Sequence, residues 1–476
     1  MRQIDLLIIG AGPAGLAAAA QAAGAGLDVW LADENALPGG QVYRNVTASP
    51  LAGAAALFGA DYLAGRRLAE AVQADQVRYL SHTQVWQVTP EKQAYLLTRD
   101  QEGRTRQRVV QARFILACPG ALERALPLPG WTLPGAMTVG AAQLLLKSAG
   151  LAPPDDCVLM GNGPLLLLFA AQVSRAGGKI QAVIDTTAPG DYLRALPFLP
   201  AALRHAPGDI YRGWQLLREI RAAGIPYFSR ARDLAIEGQR RVAAVEFTQG
   251  HTRHRLVTGT VLSHAGVVPA IQLANALGCR LRWDSRQQYW YPHLDDWQQT
   301  SLAGLYLAGD GAGIAGAKAA EHSGRLAALG IIRAAGPEAV AQAGGDARLL
   351  ALARQSRREL ARQPAMRRFL AALYPPAGRC GEPADDVVLC RCERVTAGDI
   401  RAAARQGCGD LNQLKIYTRC GMGPCQGRMC GESGARVLAH SQRQPIAEVG
   451  VFHQRFPLKP LTLAEIAGSD GSDEPD

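Results

Sequence analysis

The 476-residue sequence is poor in aromatic residues, 6%, and in charged ones, 19%, whereas 48% of its residues are hydrophobic. The low charge and the high apolar content exclude an intrinsically disordered chain. A basic motif interleaved with aromatic residues, typical of nucleic-acid readers, is also missing, so the net charge of +10 does not indicate nucleic acid as a partner. One hydrophobic core rarely serves so long a chain, and we therefore expect two or three domains.

We expect neither an export signal nor a transmembrane segment in this sequence. It opens with a strand-like apolar run that leads into a helix, not with a charged leader and a cleavage site. The stretch LLIIGAGPAGLAAAAQAAGAGL is long enough to suggest a membrane span, but its glycines fall where a nucleotide-binding turn needs them. We expect a cytoplasmic protein without a transmembrane helix, and peripheral contact with the inner face of the membrane stays open.

A third absence concerns thiol chemistry. Cys118, Cys157 and Cys279 stand alone, with no C-x-x-C or C-x₄-C pair around them. Isolated cysteines are more often buried and unreactive than catalytic, so we do not expect a thiol–disulfide reductase. Seven of the ten cysteines follow residue 379, and in a chain that is not exported this concentration favours metal or redox ligands over a disulfide framework.

The first motif that is present is a dinucleotide-binding fingerprint in residues 4–34. Gly10 permits a tight turn, Gly12 lets a pyrophosphate approach the backbone, and Gly15 lets the helix pack close to the strand. The N-terminus of that helix favours phosphate, because its N–H groups are unpaired and its dipole is positive there. Asp33, at the end of the second strand, is placed to accept hydrogen bonds from ribose hydroxyls.

Two further segments favour FAD over NAD at this site. PGGQVYR, directly after the acidic residue, resembles the flavoprotein loop that approaches the flavin, and GLYLAGDGAGIAGAKAAEHSGRLAAL resembles the segment that returns to it. His322, in the second segment, is interpreted as a packing or helix N-terminal residue, and no catalytic residue is assigned. The predicted FAD-binding residues are Gly10, Gly12, Pro13, Ala14, Gly15, Asp33, Glu34, Gly39, Gly40, Gln41, Gly309, Asp310 and Ala317.

A second dinucleotide-like unit follows in CVLMGNGPLLLLFAAQVSRAGGKIQAVIDT. Gly161, Gly163 and Asp185 repeat the first pattern, but Leu166 occupies the place of the third glycine, which prevents an equally close approach of helix and strand. The motif therefore leaves open a working NAD(H) site, a retained scaffold, or a scaffold that holds an adenine nucleotide.

Five cysteines lie in two groups near the C-terminal end. They are Cys390 and Cys392, and then Cys420, Cys425 and Cys430. Iron–sulfur clusters are held by four thiolates, which close pairs of cysteines on loops can supply. Zinc also accepts four cysteines, but its usual spacing is C-x₂-C and not C-x-C. An iron–sulfur cluster is therefore favoured over zinc and over unligated thiols. Two further cysteines are placed outside the ligand set, Cys380 and Cys408.

CRCERVTAGDI and TRCGMGPCQGRMC resemble the [2Fe-2S] domain related to bacterioferritin-associated ferredoxin (BFD), in the variant attached to flavoprotein subunits. This resemblance implies that Cys390, Cys392, Cys425 and Cys430 are the ligands. Cys420 stands where the family commonly has a small residue, and it is the alternative ligand.

PGWTLPGAMTVGAAQLLLK and GNGPLLLLFAAQ are similar to the α subunits of heteromeric bacterial opine oxidases, hydrogen cyanide synthase and D-hydroxyproline dehydrogenase. The resemblance implies an electron-transfer subunit with FAD and a [2Fe-2S] cluster. Its partner would be a β subunit related to glycine and sarcosine oxidases, which oxidises an amine with its own flavin, and a small γ ferredoxin-like subunit stays open. Electrons would pass to a quinone or dye-like acceptor.

Two other functions compete with this one, a self-sufficient NAD(P)H-dependent reductase and a non-enzymatic iron-storage partner or sensor. The expected fold class is α/β, with two Rossmann-type dinucleotide-binding domains arranged as in the disulfide reductases and a small α-rich C-terminal domain. The expected divisions are a discontinuous FAD-binding domain (1–125 and 290–335), an NAD-like domain (126–289), a helical linker (336–384), the [2Fe-2S] domain (385–455) and a tail with a disordered end (456–476).

Overall fold

The computed structural model describes residues 1–51, 53–74, 77–100, 102–376 and 382–467. Cys380 and the end of the tail, 468–476, lie outside these ranges, and the predictions made for them stay predictions. The fold is mixed α/β with two mainly parallel sheets and a helical C-terminal region, which confirms the expected fold class. Within the described residues, no helix is both long and apolar enough to cross a membrane.

The strands are β1 (Arg2–Ile9), β2 (Val29–Ala32), β3 (Val77–Leu80), β4 (Thr83–Val88), β5 (Gln93–Arg99), β6 (Thr105–Ala117), β7 (Ala121–Glu123), β8 (Ala136–Thr138), β9 (Val158–Gly161), β10 (Ala182–Asp185), β11 (Tyr227–Phe228), β12 (Ala231–Glu237), β13 (Ala244–Gln249), β14 (Thr252–Val257), β15 (Val261–His264), β16 (Val267–Pro269), β17 (Leu281–Asp284), β18 (Tyr289–Pro292), β19 (Leu305–Leu307), β20 (Val388–Cys390) and β21 (Val395–Thr396).

The helices are α1 (Pro13–Ala23), α2 (Ala54–Phe58), α3 (Ala60–Ala74), α4 (Val139–Ala149), α5 (Pro164–Arg175), α6 (Pro189–Ala195), α7 (Leu199–His205), α8 (Pro207–Ala222), α9 (Gln272–Ala276), α10 (Ala317–Ala335), α11 (Pro337–Gln342), α12 (Asp346–Leu373), α13 (Ala397–Arg405), α14 (Leu411–Thr418), α15 (Gly431–Gln442), α16 (Ile446–Val449) and α17 (Leu463–Ala467). Two 3₁₀ helices lie at Leu196–Phe198 and Gly309–Ala312.

The first sheet brings the two ends of the predicted FAD-binding region together. Its order is β3-β2-β1-β6-β5-β4, and β19 pairs with β6 in parallel although almost 190 residues separate them. Leu6, Leu7 and Ile8 of β1 are fully buried, because a parallel strand at the centre of a sheet is covered on both faces. Helix α10 follows β19 and packs closely against α1, so the returning segment ends beside the first glycine turn.

The second sheet has the order β11-β10-β9-β15-β8, and all its pairs are parallel. Helix α5 leaves β9 through the second glycine turn, as α1 leaves β1. An antiparallel sheet, β12-β13-β14, and the short ladder of β7 with β16 accompany it. This duplication of the strand–turn–helix unit is the architecture that the two glycine motifs predicted.

The C-terminal module, from β20 to α16, shares a hydrophobic core with the second sheet. Val158, Met160 and Phe247 of the sheets belong to the same buried cluster as Leu389 and Leu438 of the module. Trp131 Nε1 also donates a hydrogen bond of 2.7 Å to the carbonyl oxygen of Val388. The module is therefore packed onto the rest of the chain, and we propose the five divisions given above as divisions of sequence within one continuous structure.

Candidate cofactor sites

The three glycines of the first turn, Gly10, Gly12 and Gly15, have different structural roles. A side chain on Gly10, whose φ is +104°, would meet the carbonyl oxygen of Cys118 at 2.4 Å, and one on Gly15 would meet the carbonyl oxygen of Gly10 at 1.9 Å. Among the described atoms, a side chain on Gly12 would meet nothing within 4 Å. Gly10 and Gly15 thus close the turn, whereas Gly12 faces open space that a phosphate group can enter.

Helix α1 begins at Pro13, directly after Gly12, and its first turn carries no acidic residue and no side-chain cap. Proline suits this position because its missing N–H would have no partner inside the helix. The N–H groups of the first turn are therefore available to an anion that approaches over Gly12. Ala14 faces α10, where a side chain on Gly324 would meet the Ala14 carbonyl oxygen at 2.0 Å.

Asp33 is buried at the end of β2 and holds the turn in place. Its Oδ2 accepts a hydrogen bond of 2.6 Å from the N–H of Ala11, and its Oδ1 accepts two from Asn35. A carboxylate oxygen accepts two hydrogen bonds, so Oδ2 keeps one acceptor position for a ribose hydroxyl. The adjacent Glu34 forms an exposed ion pair with Lys459 of the C-terminal segment, and this contact was not predicted.

The loop that follows lies against the first turn. Gly39 donates a backbone hydrogen bond of 2.8 Å to Ala11, and a side chain on Gly40 would meet Cα of Gly12 at 2.8 Å. Gln41 donates to the carbonyl oxygen of Ala121, beyond the end of β6. All three predicted loop residues are thereby brought to one edge of the first sheet.

The returning segment completes this edge. Gly309 approaches Ala14 so closely that a side chain on it would lie 3.0 Å from the Ala14 methyl group. Asp310 Oδ1 accepts hydrogen bonds of 3.0 Å from the N–H groups of Ala315 and Gly316, which immediately precede Ala317 at the start of α10. The structure thus brings together the predicted residues of the first site, with Glu34 turned to Lys459.

The second glycine turn has a backbone conformation like that of the first turn, but different side chains surround it. Gly161, at φ +125°, packs against the carbonyl oxygen of His264, and Leu166 is buried where the first unit has Gly15. Asp185 accepts hydrogen bonds from Thr187 N–H at 2.8 Å, from its hydroxyl at 2.6 Å and from the Tyr227 hydroxyl at 2.7 Å. The Oδ1 atom of Asp185 accepts two of these hydrogen bonds and Oδ2 accepts one, as in Asp33, so Oδ2 of Asp185 also keeps one acceptor position.

The C-terminal end of α12 lies over this turn. Asn162, between the two glycines, donates a hydrogen bond of 3.3 Å to the carbonyl oxygen of Pro375. Burial and the nearby carboxylate of Asp185 raise the pKa of Tyr374. Helix α12 packs along α6, which follows β10. The linker therefore occupies the carboxyl edge of the second sheet, where a dinucleotide binds in this kind of fold.

A His264–Glu123 pair lies beside the second glycine turn. The sequence did not predict this pair. The Nδ1 atom of His264 lies 2.5 Å from Glu123 Oε1, while Oε2 of the same carboxylate accepts a hydrogen bond from Gly140. No local sequence motif predicts this pair, because its two residues lie 141 positions apart in the chain.

The five candidate ligand cysteines of the C-terminal module lie in two sets. The Sγ atoms of Cys390, Cys420 and Cys430 are all within 4.8 Å of one another and buried. Cys392 is exposed and Cys425 is half-buried. The electrostatic and hydrogen-bond interactions of Cys425 with Cys392 show that this second set is also a close pair. The chain therefore offers thiols from the C-x-C pair and from the loop on both sides of one small volume.

The cysteines of the buried set differ in the pKa of their thiols. Hydrogen bonds donated by the thiols of Cys420 and Cys430 lower the pKa of Cys390 to about 2. The same hydrogen bonds and burial raise the pKa of Cys430. Grouped cysteine thiols are suitable ligands for iron or zinc, since both metals bind deprotonated cysteine. The residues present therefore fit a metal centre, but the described close group contains Cys390, Cys430 and the alternative ligand Cys420, without Cys392 and Cys425.

Local sequence explains how the cysteine loop is held. Thr396 and Asp399 cap α13 reciprocally, and α13 begins shortly after the C-x-C pair. A side chain on Gly423 would meet Cβ of Cys392 at 2.2 Å, so only glycine lets the loop lie against that cysteine. Gly427, at φ +79°, packs in the same way on the ring of Phe452.

The four other described cysteines, Cys118, Cys157, Cys279 and Cys408, are all buried. Cys118, Cys157 and Cys279 are buried, and burial raises the pKa of each thiol. Cys408 is buried and its Sγ lies 3.5 Å from the carbonyl oxygen of Asp410, outside the group of close thiols. None of these four belongs to a described group that could hold a metal ion.

Comparison with known proteins defines the class first. Residues 4–324 match the family of pyridine nucleotide-disulphide oxidoreductases, and residues 388–469 match the sarcosine oxidase A3 domain. Among solved structures, L-proline dehydrogenase from P. horikoshii is similar with a TM-score of 0.68, 19% identity, and coverage of 98% of this chain and 79% of that chain. The fold is thus that of a two-dinucleotide-domain oxidoreductase.

Full-length relatives define the family. The A subunit of opine oxidase from Rhizobium meliloti (strain 1021) is 42% identical over 464 residues, which cover 97% of this chain and 98% of the relative. The HcnB subunit of hydrogen cyanide synthase from Pseudomonas aeruginosa is 34% identical over 476 residues, with 96% and 97% covered. The chain belongs to the family of opine oxidase A subunits and is an oxidoreductase subunit, as its motifs predicted.

Proposed function

We propose that this chain is the electron-transfer subunit of a heteromeric amine, opine or amino-acid dehydrogenase, and that it carries FAD and a [2Fe-2S] cluster. A bound flavin exchanges one or two electrons and an iron–sulfur cluster exchanges one, so together they convert a two-electron oxidation into single transfers. The substrate would be oxidised at its C–N bond by a partner β subunit related to glycine and sarcosine oxidases.

The observation that carries the proposal is that the cysteine loop and a tyrosine bonded to the returning segment line one cavity. The loop between Cys425 and Cys430 lines this cavity on one side. Tyr289 lines it on another, and its hydroxyl accepts a hydrogen bond of 3.2 Å from Ile314 in the returning segment. This arrangement supports the proposal that electrons pass between the cysteine cluster and a flavin beside the returning segment.

The chain's own residues have defined parts in this proposal. Gly12, the first turn of α1 and Asp33 would hold the pyrophosphate and ribose of FAD, and Asp310 would bind near its ribityl chain. Cys390, Cys392, Cys425 and Cys430 would hold the cluster, with Cys420 as the alternative ligand. The names of the relatives support the proposed substrate class, since opine oxidase and sarcosine oxidase are both named after amine substrates.

Pairing with a β subunit rests on the same relatives, which are named as subunits. A quinone or dye-like molecule is the proposed acceptor, and a γ ferredoxin-like subunit is a further candidate partner. The competing NAD(P)H-dependent reductase needs a free second nucleotide site. The position of Pro375 over Asn162 speaks against that function, although binding of an adenine nucleotide in another pose stays open to experiment.

Purification of the chain alone, followed by assay with and without copurified partners, tests the proposal. We expect flavin and iron–sulfur absorbance in the isolated chain but no dehydrogenase activity with opines, sarcosine or proline and an artificial dye. Activity should appear when the copurifying partner is added back. Vigorous substrate oxidation by the isolated chain would refute a pure electron-transfer role.

A further inference from the structure

A buried lysine of helix α4 holds the loop of residues 38–44, here called the flavin loop. Helix α4 follows β8 of the second sheet, and Lys147 lies in its last turn and is 5% exposed. Its Nζ donates hydrogen bonds of 2.9 Å to the carbonyl oxygen of Val42, 3.3 Å to that of Gln41 and 3.3 Å to Oε1 of Gln143. An ammonium group has three N–H donors, so all three have acceptors and two of these lie in the flavin loop.

The charge of Lys147 has no countercharge in the protein. Among the described residues, no carboxylate pairs with it, and its acceptors are neutral oxygens. The ring of Tyr62 lies 5.9 Å from Nζ. Burial and the like charge of Arg44 lower the pKa of Lys147 to about 8. Buried charges are normally paired, so this lysine costs the apoprotein stability, and an anionic ligand nearby would offset that cost.

The contacts of Lys147 also fix the direction of the loop backbone. In a trans peptide the C=O and the N–H point in opposite directions, so a Gln41 carbonyl bonded to Lys147 turns the N–H of Val42 away from it. Among the described residues, the N–H groups of Gly40, Gln41 and Val42 have no hydrogen-bond partner. Consecutive N–H groups of this kind bind anions and carbonyl oxygens. They lie beside the first glycine turn, because Gly40 packs against Gly12.

We propose that Lys147 is the positioning residue of the flavin loop: its buried ammonium group holds the carbonyl groups of Gln41 and Val42 and thereby directs the loop N–H groups toward bound FAD. Its positive charge favours the same ligand, because the pyrophosphate of FAD is negatively charged. The proposal rests on the proposed FAD at the first site and deepens it, since FAD retention then depends on a helix of the second unit.

Fluorescence titration of the flavin-free, full-length chain with FAD tests the role of Lys147. We expect Lys147→Met to weaken FAD binding by about tenfold or more, because charge-assisted hydrogen bonds to the loop are lost. Lys147→Arg keeps the charge and should restore most of the affinity. Lys179→Met, at an exposed lysine after α5, is the matched control and should bind FAD as the wild type does.

The pH profile and the stability of the apoprotein separate positioning from folding. Wild-type affinity should be constant below about pH 8 and fall above it, where Lys147 loses its proton, whereas Lys147→Met should lack this dependence. Methionine removes a buried charge without a countercharge, and the freed loop carbonyl groups belong to exposed residues, so flavin-free Lys147→Met should unfold at the same or a higher urea concentration.

Three results would overturn the role of Lys147 while FAD still binds to the wild type. They are unchanged FAD affinity in Lys147→Met, a flavin-free Lys147→Met that unfolds at clearly lower urea concentration, and wild-type affinity that stays constant between about pH 7 and pH 9.5. The last result needs no variant, so it decides the matter even if Lys147→Met does not fold. A wild-type chain that binds no FAD would instead refute the proposed function, and this role with it.

Discussion

At the scale of single residues, Gly12 and Gly15 have different roles. We expect Gly12 to matter for ligand binding and Gly15 to matter for folding. A methyl group on Gly12 meets no described atom within 4 Å, whereas one on Gly15 meets the carbonyl oxygen of Gly10 at 1.9 Å. We therefore expect Gly12→Ala to leave the unfolding free energy of the apoprotein unchanged but to reduce flavin content, because the pyrophosphate can no longer approach. Gly15→Ala should instead destabilise the chain by about 1–3 kcal/mol.

Urea unfolding of flavin-free protein and flavin absorbance per chain measure the two effects. Gly213→Ala is the matched control, since Gly213 lies within α8 and a side chain there meets nothing within 4 Å. This control should keep its flavin and gain up to about 1 kcal/mol. Full flavin content in Gly12→Ala would remove the first turn as the phosphate site.

Cys420 and Cys430 form a second residue-scale contrast, because both lie beside Cys390. The family resemblance assigns the ligand role to Cys430, so Cys430→Ser should lower iron content to below about a fifth of the wild-type value. Cys420→Ser should retain most of its iron. Iron and sulfide analysis with visible circular dichroism provides the measurement, and Cys408→Ser is the control outside the cluster. The reverse pattern would make Cys420 the ligand.

At the scale of elements, the end of α12 decides between the two oxidoreductase functions. Asn162 donates a hydrogen bond to the carbonyl oxygen of Pro375, so the chain that follows α12 covers the second glycine turn where NADH would bind. We expect anaerobic mixing with NADH to leave flavin absorbance unchanged over minutes, while dithionite bleaches it fully. Rapid bleaching by NADH would show that α12 moves aside and would favour the self-sufficient reductase.

The elements also show what sequence could predict. The strand–turn–helix units at Gly10 and Gly161 were predictable, because glycine spacing and apolar runs act locally. The cap of α13 by Thr396 was predictable for the same reason. The contact of Pro375 with Asn162, 213 residues away, was not, since no local pattern encodes which surface a linker helix covers.

At the scale of the whole molecule, the C-terminal module packs against the rest of the protein through a shared hydrophobic core. Its buried residues form one cluster with those of the second sheet, and Trp131 is buried at the junction. The Trp131 ring also lies under the Arg391 guanidinium, 5.3 Å from its centroid, and Arg391 stands between the cysteines of the C-x-C pair. Stability of the thiol cluster and of the second sheet should therefore be coupled.

Trp131→Phe tests this coupling. The substitution removes the hydrogen bond from Nε1 to Val388 and leaves a buried carbonyl oxygen without that donor, so the free energy of unfolding should fall by about 1–3 kcal/mol. Because the core is shared, loss of far-ultraviolet helix signal and loss of iron–sulfur circular dichroism should still coincide on heating, at a lower temperature. Trp214→Phe, on exposed α8, should change neither transition. If the iron–sulfur signal is lost in a separate, earlier transition in the wild type, the module unfolds independently and the shared core does not couple the two parts.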